Sequence, residues 1–228
     1  MIEFRGKLIL LDIEGTVSPL AFVHDVMFPY ARQHAAAFLA ANWGSEVISQ
    51  LAHDAGVAAF ANACDAEAAV HRLMDADAKV TGLKQLQGLI WEQGFRSGDL
   101  RSTLFDDVVP ALDHWRENDR DIRIYSSGSI HAQKLFFAHT TAGDLTPRLS
   151  GYYDTTTGSK REAASYTAIA NDCGIPANEI LFISDLVDEL NAAQSAGMLT
   201  ALALRPLNKP QPESGHPVIA SFDEIILD

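Results

Sequence analysis

Leu8-Ile9-Leu10-Leu11-Asp12-Ile13-Glu14-Gly15-Thr16 is the stretch on which the reading of this chain turns. Four consecutive apolar residues describe a strand buried on both faces, and the carboxylates and glycine that follow describe its abrupt end. Such a strand belongs in a parallel α/β sheet and delivers the residues after it to the carboxyl edge, where open sheets bind ligands. Strand alternation predicts that Asp12 and Glu14 point the same way, so that two carboxylates converge where a cation or a proton must relieve their repulsion. That arrangement suits metal-assisted acid–base chemistry. Taken alone, the same residues also fit a helix cap followed by an exposed turn.

Segments of strand character run from Lys7 to Asp12, Ile122 to Ser126, Glu179 to Ser184 and Leu199 to Leu204. Helix formers or helical apolar spacing occupy Pro110 to Glu117, Ile130 to His139, Arg161 to Cys173 and Asp188 to Ala196, with Gly174 and Gly197 where helices should end. This alternation predicts an α/β fold, a Rossmann-like parallel sheet covered on both faces. Residues 23–98 break it. They hold alanine-rich helical stretches (Tyr30 to Leu39, Ala66 to Lys79, Lys84 to Phe95) and no strand, which predicts an all-helical cap inserted between the first and second core strands. The expected organisation is therefore an α/β core from residues 1–22 and 99–228, with residues 23–98 as a lid over the carboxylates. A proline-rich stretch, Pro206 to Pro217, precedes a C-terminal strand and short helix.

The 228 residues are 47% hydrophobic and 21% charged, as in an ordinary globular protein. No apolar run approaches the ~20 residues of a membrane span, and Met1 to Gly6 lacks the features of a signal peptide, so a cytoplasmic protein without a membrane partner is expected. A net charge of −13 opposes nucleic acid as a partner, because that affinity comes mostly from Lys and Arg neutralising phosphates. Cys64 and Cys173 have no ligand spacing and read as small core residues. The absence of G-x-G-x-x-G argues against a dinucleotide oxidoreductase.

Three further clusters fall at or beyond strand ends. Ser126-Ser127-Gly128-Ser129 opens a helix and offers hydroxyls and backbone N–H groups to an anion, Lys160 supplies a point charge, and Ser184-Asp185 is followed a turn later by Asp188 and Glu189. Each alone reads as a turn, a surface lysine or a helix cap. In the order Asp-x-Glu-Gly-Thr, Ser-Ser-Gly, Lys, Ser-Asp, around a helical insertion, they resemble the haloacid dehalogenase superfamily over nearly the whole chain. Within it the chain resembles the enolase-phosphatase (acireductone synthase) family of methionine salvage. Phe22-Val23-His24-Asp25-Val26-Met27-Phe28-Pro29-Tyr30-Ala31, Leu86 to Gly98, Ile124 to Ser129 and Gln133-Lys134-Leu135-Phe136-Phe137 look like that family's segments, as does Glu14 where most phosphatases of the superfamily carry Asp.

The resemblance implies Asp12 as a nucleophile forming an aspartyl-phosphate, and Mg²⁺ held by Asp12, the Glu14 backbone carbonyl and Asp185. It implies Glu14 as general acid and base, Ser126, Ser127 and Gly128 as the phosphate cradle, and Lys160 as the compensating charge. The implied substrate is a small phosphorylated diketone, 5-(methylthio)-2,3-dioxopentyl 1-phosphate, acted on by a monomeric enzyme. Trp91 and Phe95, at helical spacing, and Phe22 are candidates for an apolar wall around its methylthio end, with core packing as the other explanation. His24 is a candidate for proton transfer, or a partly buried hydrogen-bonded histidine. The alternative is another Mg²⁺-dependent phosphomonoesterase of the superfamily. A dehalogenase has no use for the proton donor Glu14, a phosphonate hydrolase needs a lid lysine for which Lys79 and Lys84 are weak candidates, and a non-catalytic phosphate-binding module would show no turnover.

Overall fold

The structure, a computed structural model, describes residues 1–228. The chain divides into two compact units, Met1–Phe22 with Arg101–Asp228, and Val23–Leu100. The strands are β1 (Ile2–Phe4), β2 (Leu8–Leu11), β3 (Asp121–Tyr125), β4 (Gly151–Tyr153), β5 (Ile180–Ser184), β6 (Leu199–Ala203), β7 (Val218–Ile219) and β8 (Ile225–Leu227). The helices of the second unit are α1 (Phe28–Ala41), α2 (Glu46–Asp54), α3 (Ala63–Asp75) and α4 (Thr81–Ser97). Those of the first are α5 (Val108–Glu117), α6 (Ile130–Ala138), α7 (Ala163–Cys173) and α8 (Val187–Ser195).

In the α/β unit six parallel strands lie in the order β4-β3-β2-β5-β6-β7, and β1 pairs separately with β8. The four apolar residues of β2 are fully buried because strands cover both edges and the sheet is covered on both faces. Leu8 and Leu10 pack in one cluster with Tyr125, Tyr166, Phe182 and Leu190. From β2 the chain builds outward on one side through β3 and β4 and on the other through β5, β6 and β7. That reversal creates a crevice at the carboxyl ends of the strands beside β2, the usual ligand position of an open α/β sheet. Register sets what meets there. Leu11 stands beside Ile124 and Ile183, so Asp12, the loop after Tyr125 and the Ser184-Asp185 step emerge side by side.

The expected parallel sheet and helical insertion are both present. Strands β4 and β7 escaped the sequence reading because three and two residues cannot establish a period. Helix α2 escaped it as well, although it buries Val47, Ile48, Leu51 and Ala52. Helix α3 stops at Asp75 rather than Lys79, and Asp77 then takes a left-handed backbone with φ of 47°. Cys173 packs partly buried against the core, whereas Cys64 is exposed and is no core residue.

The helical unit has its own core, centred on Ala31, Ala35, Leu39, Leu51, Val70, Leu86 and Ile90. Alanines on α1 let neighbouring helices approach without large knobs. A Cβ on Gly82 would stand 2.7 Å from the Leu51 backbone nitrogen, so glycine is what lets α4 start against α2.

Candidate active site

Strand β2 ends at Leu11, and the alternation invoked for Asp12 and Glu14 ends with it. The Ile13 carbonyl accepts hydrogen bonds from the backbone of Thr16, Val17 and Ser18, which folds residues 13–18 into a tight loop. Asp12 stays in the sheet register through its own N–H to the Ile183 carbonyl and is 6% exposed, while Glu14 is exposed. Period-2 reasoning therefore fails at the residue where the loop begins, and the two carboxylates differ in environment.

Asp12 is paired with Lys160, whose ammonium lies 2.5 Å from Asp12 Oδ1 and 2.6 Å from Glu189 Oε2. Lys160 is 6% exposed and is no surface lysine. Its Nζ stands 5.8 Å from the ring centroids of Tyr125 and Phe182, and its carbonyl accepts the Tyr166 hydroxyl at 2.8 Å. Burial opposes the charged ammonium, yet the Asp12 and Glu189 carboxylates outweigh it and hold the pKa above the ordinary lysine value. Glu189 lies in the first turn of α8 and accepts the Ser184 hydroxyl at 2.8 Å. Its pKa is raised, first by burial and then by Asp12. The sequence places both Asp188 and Glu189 about a helical turn after Asp185 without distinguishing them; in the structure Asp188 is exposed and Glu189 buried.

Asp185 is 5% exposed, and its pKa is pushed up to about 7 by burial and by the charges of Asp12 and Glu189. Gly15 makes room for it: the loop backbone there has φ of 73°, and a Cβ would stand 2.5 Å from Asp185 Oδ2. Three buried carboxylates, Asp12, Asp185 and Glu189, thus face one ammonium, which pairs with Asp12 and Glu189. The deficit of positive charge and the all-oxygen chemistry fit a hard divalent cation. No cage of three or more acidic, His or Cys side chains is present; Asp12 and Asp185, with a backbone carbonyl and water, could hold such a cation in the sparse way that Mg²⁺ favours.

Ser126 is buried, while Ser127 and Gly128 are exposed. The Gly128 N–H donates to Ser126 Oγ at 3.2 Å, a long bond that an anion bound at this loop could share or displace. Behind the loop, the Gln133 side-chain amide donates to the carbonyls of Gly128 at 2.7 Å and Tyr153 at 2.8 Å. Asp154 Oδ2 accepts the Ile130 N–H and Ser129 caps α6, so the serine loop is held from both sides.

The remaining candidates lie in the helical unit or at its border. The Trp91 indole N–H donates to the Met27 carbonyl at 2.7 Å, and its ring meets Phe28 edge-on at 5.9 Å. Phe95 is 2% exposed and Phe22, packed on Phe136, is 4% exposed, so neither offers a face for an apolar wall. His24 is exposed rather than partly buried. Lys79 is exposed and pairs with Asp77 at 2.5 Å. Two anchors of the 13–18 loop had no sequence signal at all: Arg205 Nε donates to the Thr16 carbonyl at 3.0 Å and Asn208 Nδ2 to the Gly15 carbonyl at 2.8 Å.

Residues 7–197 match the family of haloacid dehalogenase-like hydrolases. The chain is 48% identical to the enolase-phosphatase E1 of Pseudomonas aeruginosa strain UCBPP-PA14, over 97% of this chain and 99% of that one. It is 46% identical to the enolase-phosphatase E1 of Synechococcus elongatus, over 95% of this chain and 96% of that one. Among solved structures, the UTR4 protein of Saccharomyces cerevisiae superposes with a TM-score of 0.83 at 34% identity, covering 96% of this chain and 99% of that one.

Proposed function

The chain belongs to the enolase-phosphatase E1 family of haloacid dehalogenase-like hydrolases, and from that membership we infer that it enolises and then dephosphorylates 5-(methylthio)-2,3-dioxopentyl 1-phosphate in L-methionine salvage, in the cytoplasm. The products are the acireductone 1,2-dihydroxy-5-(methylthio)pent-1-en-3-one and phosphate. The observation that carries the reading is the buried Lys160 ammonium bridging Asp12 and Glu189 at the carboxyl end of the central strands.

A phosphate dianion repels nucleophiles and its ester oxygen leaves poorly, so the site must supply a positioned nucleophile, positive charge and a proton. In the first reaction a proton leaves carbon 1 and another reaches the carbon 2 oxygen, giving the enol phosphate. An Asp12 oxygen then attacks phosphorus as the bond to the carbon 1 oxygen breaks, and Glu14 protonates the departing oxygen. Water attacks the aspartyl-phosphate, gives its proton to Glu14, and releases phosphate with Asp12 restored. Exposure of Glu14 suits a group that must reach both substrate and water.

Lys160 holds the Asp12 carboxylate in one orientation and balances charge as the phosphate arrives. Ser126, Ser127 and the Gly128 N–H are assigned to the phosphate oxygens. Asp12, the Glu14 carbonyl and Asp185 would hold Mg²⁺, which when bound supplies two positive charges to the dianion and acts as a Lewis acid toward the diketone.

The test is incubation with the diketone phosphate, with and without Mg²⁺, following phosphate and the absorbing conjugated enol together. Both signals should rise, and both should require Mg²⁺. Phosphate release from simple phosphomonoesters but none from the diketone phosphate would assign the chain to another phosphatase activity.

A further inference from the structure

We propose that Asn208 is a positioning residue of the cation site, whose amide nitrogen fixes the Gly15 carbonyl while its amide oxygen accepts a hydrogen bond from a water carried by the divalent cation beside Asp185. The inference rests on the metal-dependent phosphatase reading above.

The segment after β6 is held firmly. The Arg205 guanidinium lies between the rings of Phe105 and Phe222, at 4.7 and 4.5 Å, and binds Asp107 at 2.8 Å and the carbonyls of Thr16 and Ala220 at 3.0 and 2.9 Å. Two residues on, Leu207 takes a left-handed backbone with φ of 67° while its side chain is 87% exposed. No packing of the leucine compensates this conformation, which a branched side chain avoids. Anchoring on both sides holds it, and the kink turns the next residue, Asn208, toward the 13–18 loop.

The orientation of the Asn208 amide follows from its neighbours. Its Nδ2 faces two carbonyls, Gly15 at 2.8 Å and Ala203 at 3.3 Å, and a flipped amide would set oxygen against oxygen at both. Oδ1 therefore points the other way, where it is buried and meets no donor of the protein. It does not stand alone. Asp185 Oδ2 and Asn208 Oδ1 lie 2.5 and 3.1 Å from the point that a Cβ on Gly15 would occupy.

Two acceptors in one dehydrated space require a donor, and leaving a buried acceptor unsatisfied is costly. A cation-bound water is such a donor, with two protons made more acidic by the metal. Mg²⁺ keeps several waters, and groups that hydrogen-bond to its ligands typically tune affinity by about 10–100-fold. A residue that only braced Gly15 would act through its nitrogen and leave the oxygen dispensable.

The experiment titrates Mg²⁺ into the metal-free protein by calorimetry, without substrate, for wild type, Asn208→Ala and Asn208→Asp, with melting in EDTA as the check on folding. Asn208→Ala should lose about tenfold or more in Mg²⁺ affinity, and Asn208→Asp, which keeps the acceptor oxygen and adds negative charge toward the cation but sets its other oxygen against the Gly15 and Ala203 carbonyls, should stay within a few-fold of wild type. Wild-type affinity in Asn208→Ala overturns the proposal. So does a loss of about tenfold or more in Asn208→Asp, which shows that the nitrogen alone matters and decides the question if the alanine variant does not fold. Absence of Mg²⁺ binding by the wild type overturns the metal-dependent reading together with the inference, and is told apart from the other failures because it needs no variant.

Discussion

Lys160 Nζ lies 2.5 Å from Asp12 Oδ1, although the two residues are 148 positions apart in the chain and both side chains are less than a tenth exposed. Removing two charges from water is costly, and what makes this pair tolerable is that Lys160 also meets Glu189, itself held by Ser184. The pair is better understood as a device for orienting the proposed nucleophile, Asp12, than as a source of stability.

Lys160→Met should lower kcat and raise KM together, with Lys160→Arg restoring only part of either because a planar guanidinium does not fit a site shaped for an ammonium. It should also destabilise the fold by roughly 3–5 kcal/mol, since Asp12 and Glu189 lose their common partner. Steady-state kinetics and denaturant melts check both, and a kinetically silent Lys160→Met would place the phosphate elsewhere.

Asp12→Asn should abolish phosphate release even at excess Mg²⁺, because an amide is a poor nucleophile and a poor cation ligand. A residual rate above about a hundredth of wild type, measured as phosphate over hours, would point to direct attack by water.

Glu14→Gln separates the two reactions. It leaves Asp12, Lys160 and Asp185 in place and removes the proposed acid and base of the phosphatase step, so the absorbing enol phosphate should accumulate without stoichiometric phosphate. Loss of both signals, in a variant that still binds Mg²⁺, would show that Glu14 also serves the enolisation.

Gly15→Ala should be far more damaging than its size suggests. A left-handed backbone costs a non-glycine residue roughly 1–2 kcal/mol, and the new methyl would stand 2.5 Å from Asp185 Oδ2. Mg²⁺ should then be bound more weakly and the melting temperature should fall by several degrees; unchanged Mg²⁺ dependence of the rate would show that Asp185 is not a ligand.

His216 should give the fold a mild acid sensitivity. Burial lowers its pKa, and its ring is engaged on both sides, by Thr200 at 2.8 Å and Asn191 at 3.0 Å. Between the depressed folded pKa and the ordinary value near 6.5, the unfolded chain binds the proton more tightly. Stability should therefore be full above about pH 6.5 and fall as pH drops toward the folded pKa. Melts from pH 5 to 8 should show this slope, and His216→Gln should flatten it; equal slopes in both proteins would remove His216 as the cause.

The sequence by itself determined the sheet class and the chemistry available. The unbroken apolar runs of β2 and β5 can be buried only between other strands and helices, so with the shorter apolar stretches of β3 and β6 local composition was enough to name a parallel α/β core and to set Asp12, Ser126 and Asp185 at strand ends. Alanine-rich helical spacing was likewise enough to mark the insertion. What the tertiary structure decided was the company each group keeps. Strand alternation applies only while the strand lasts, so the exposure of Glu14 depended on a loop that begins after Leu11. Lys160 became a buried partner of Asp12 and Glu189, and Gly15, Asp185 and Asn208 came to share one small space, because the order of strands in the sheet brings distant loops together. Local pattern carries secondary structure and burial; long-range order in the sheet fixes which charges must answer each other, and that is where the pKa shifts and the proposed cation site arise.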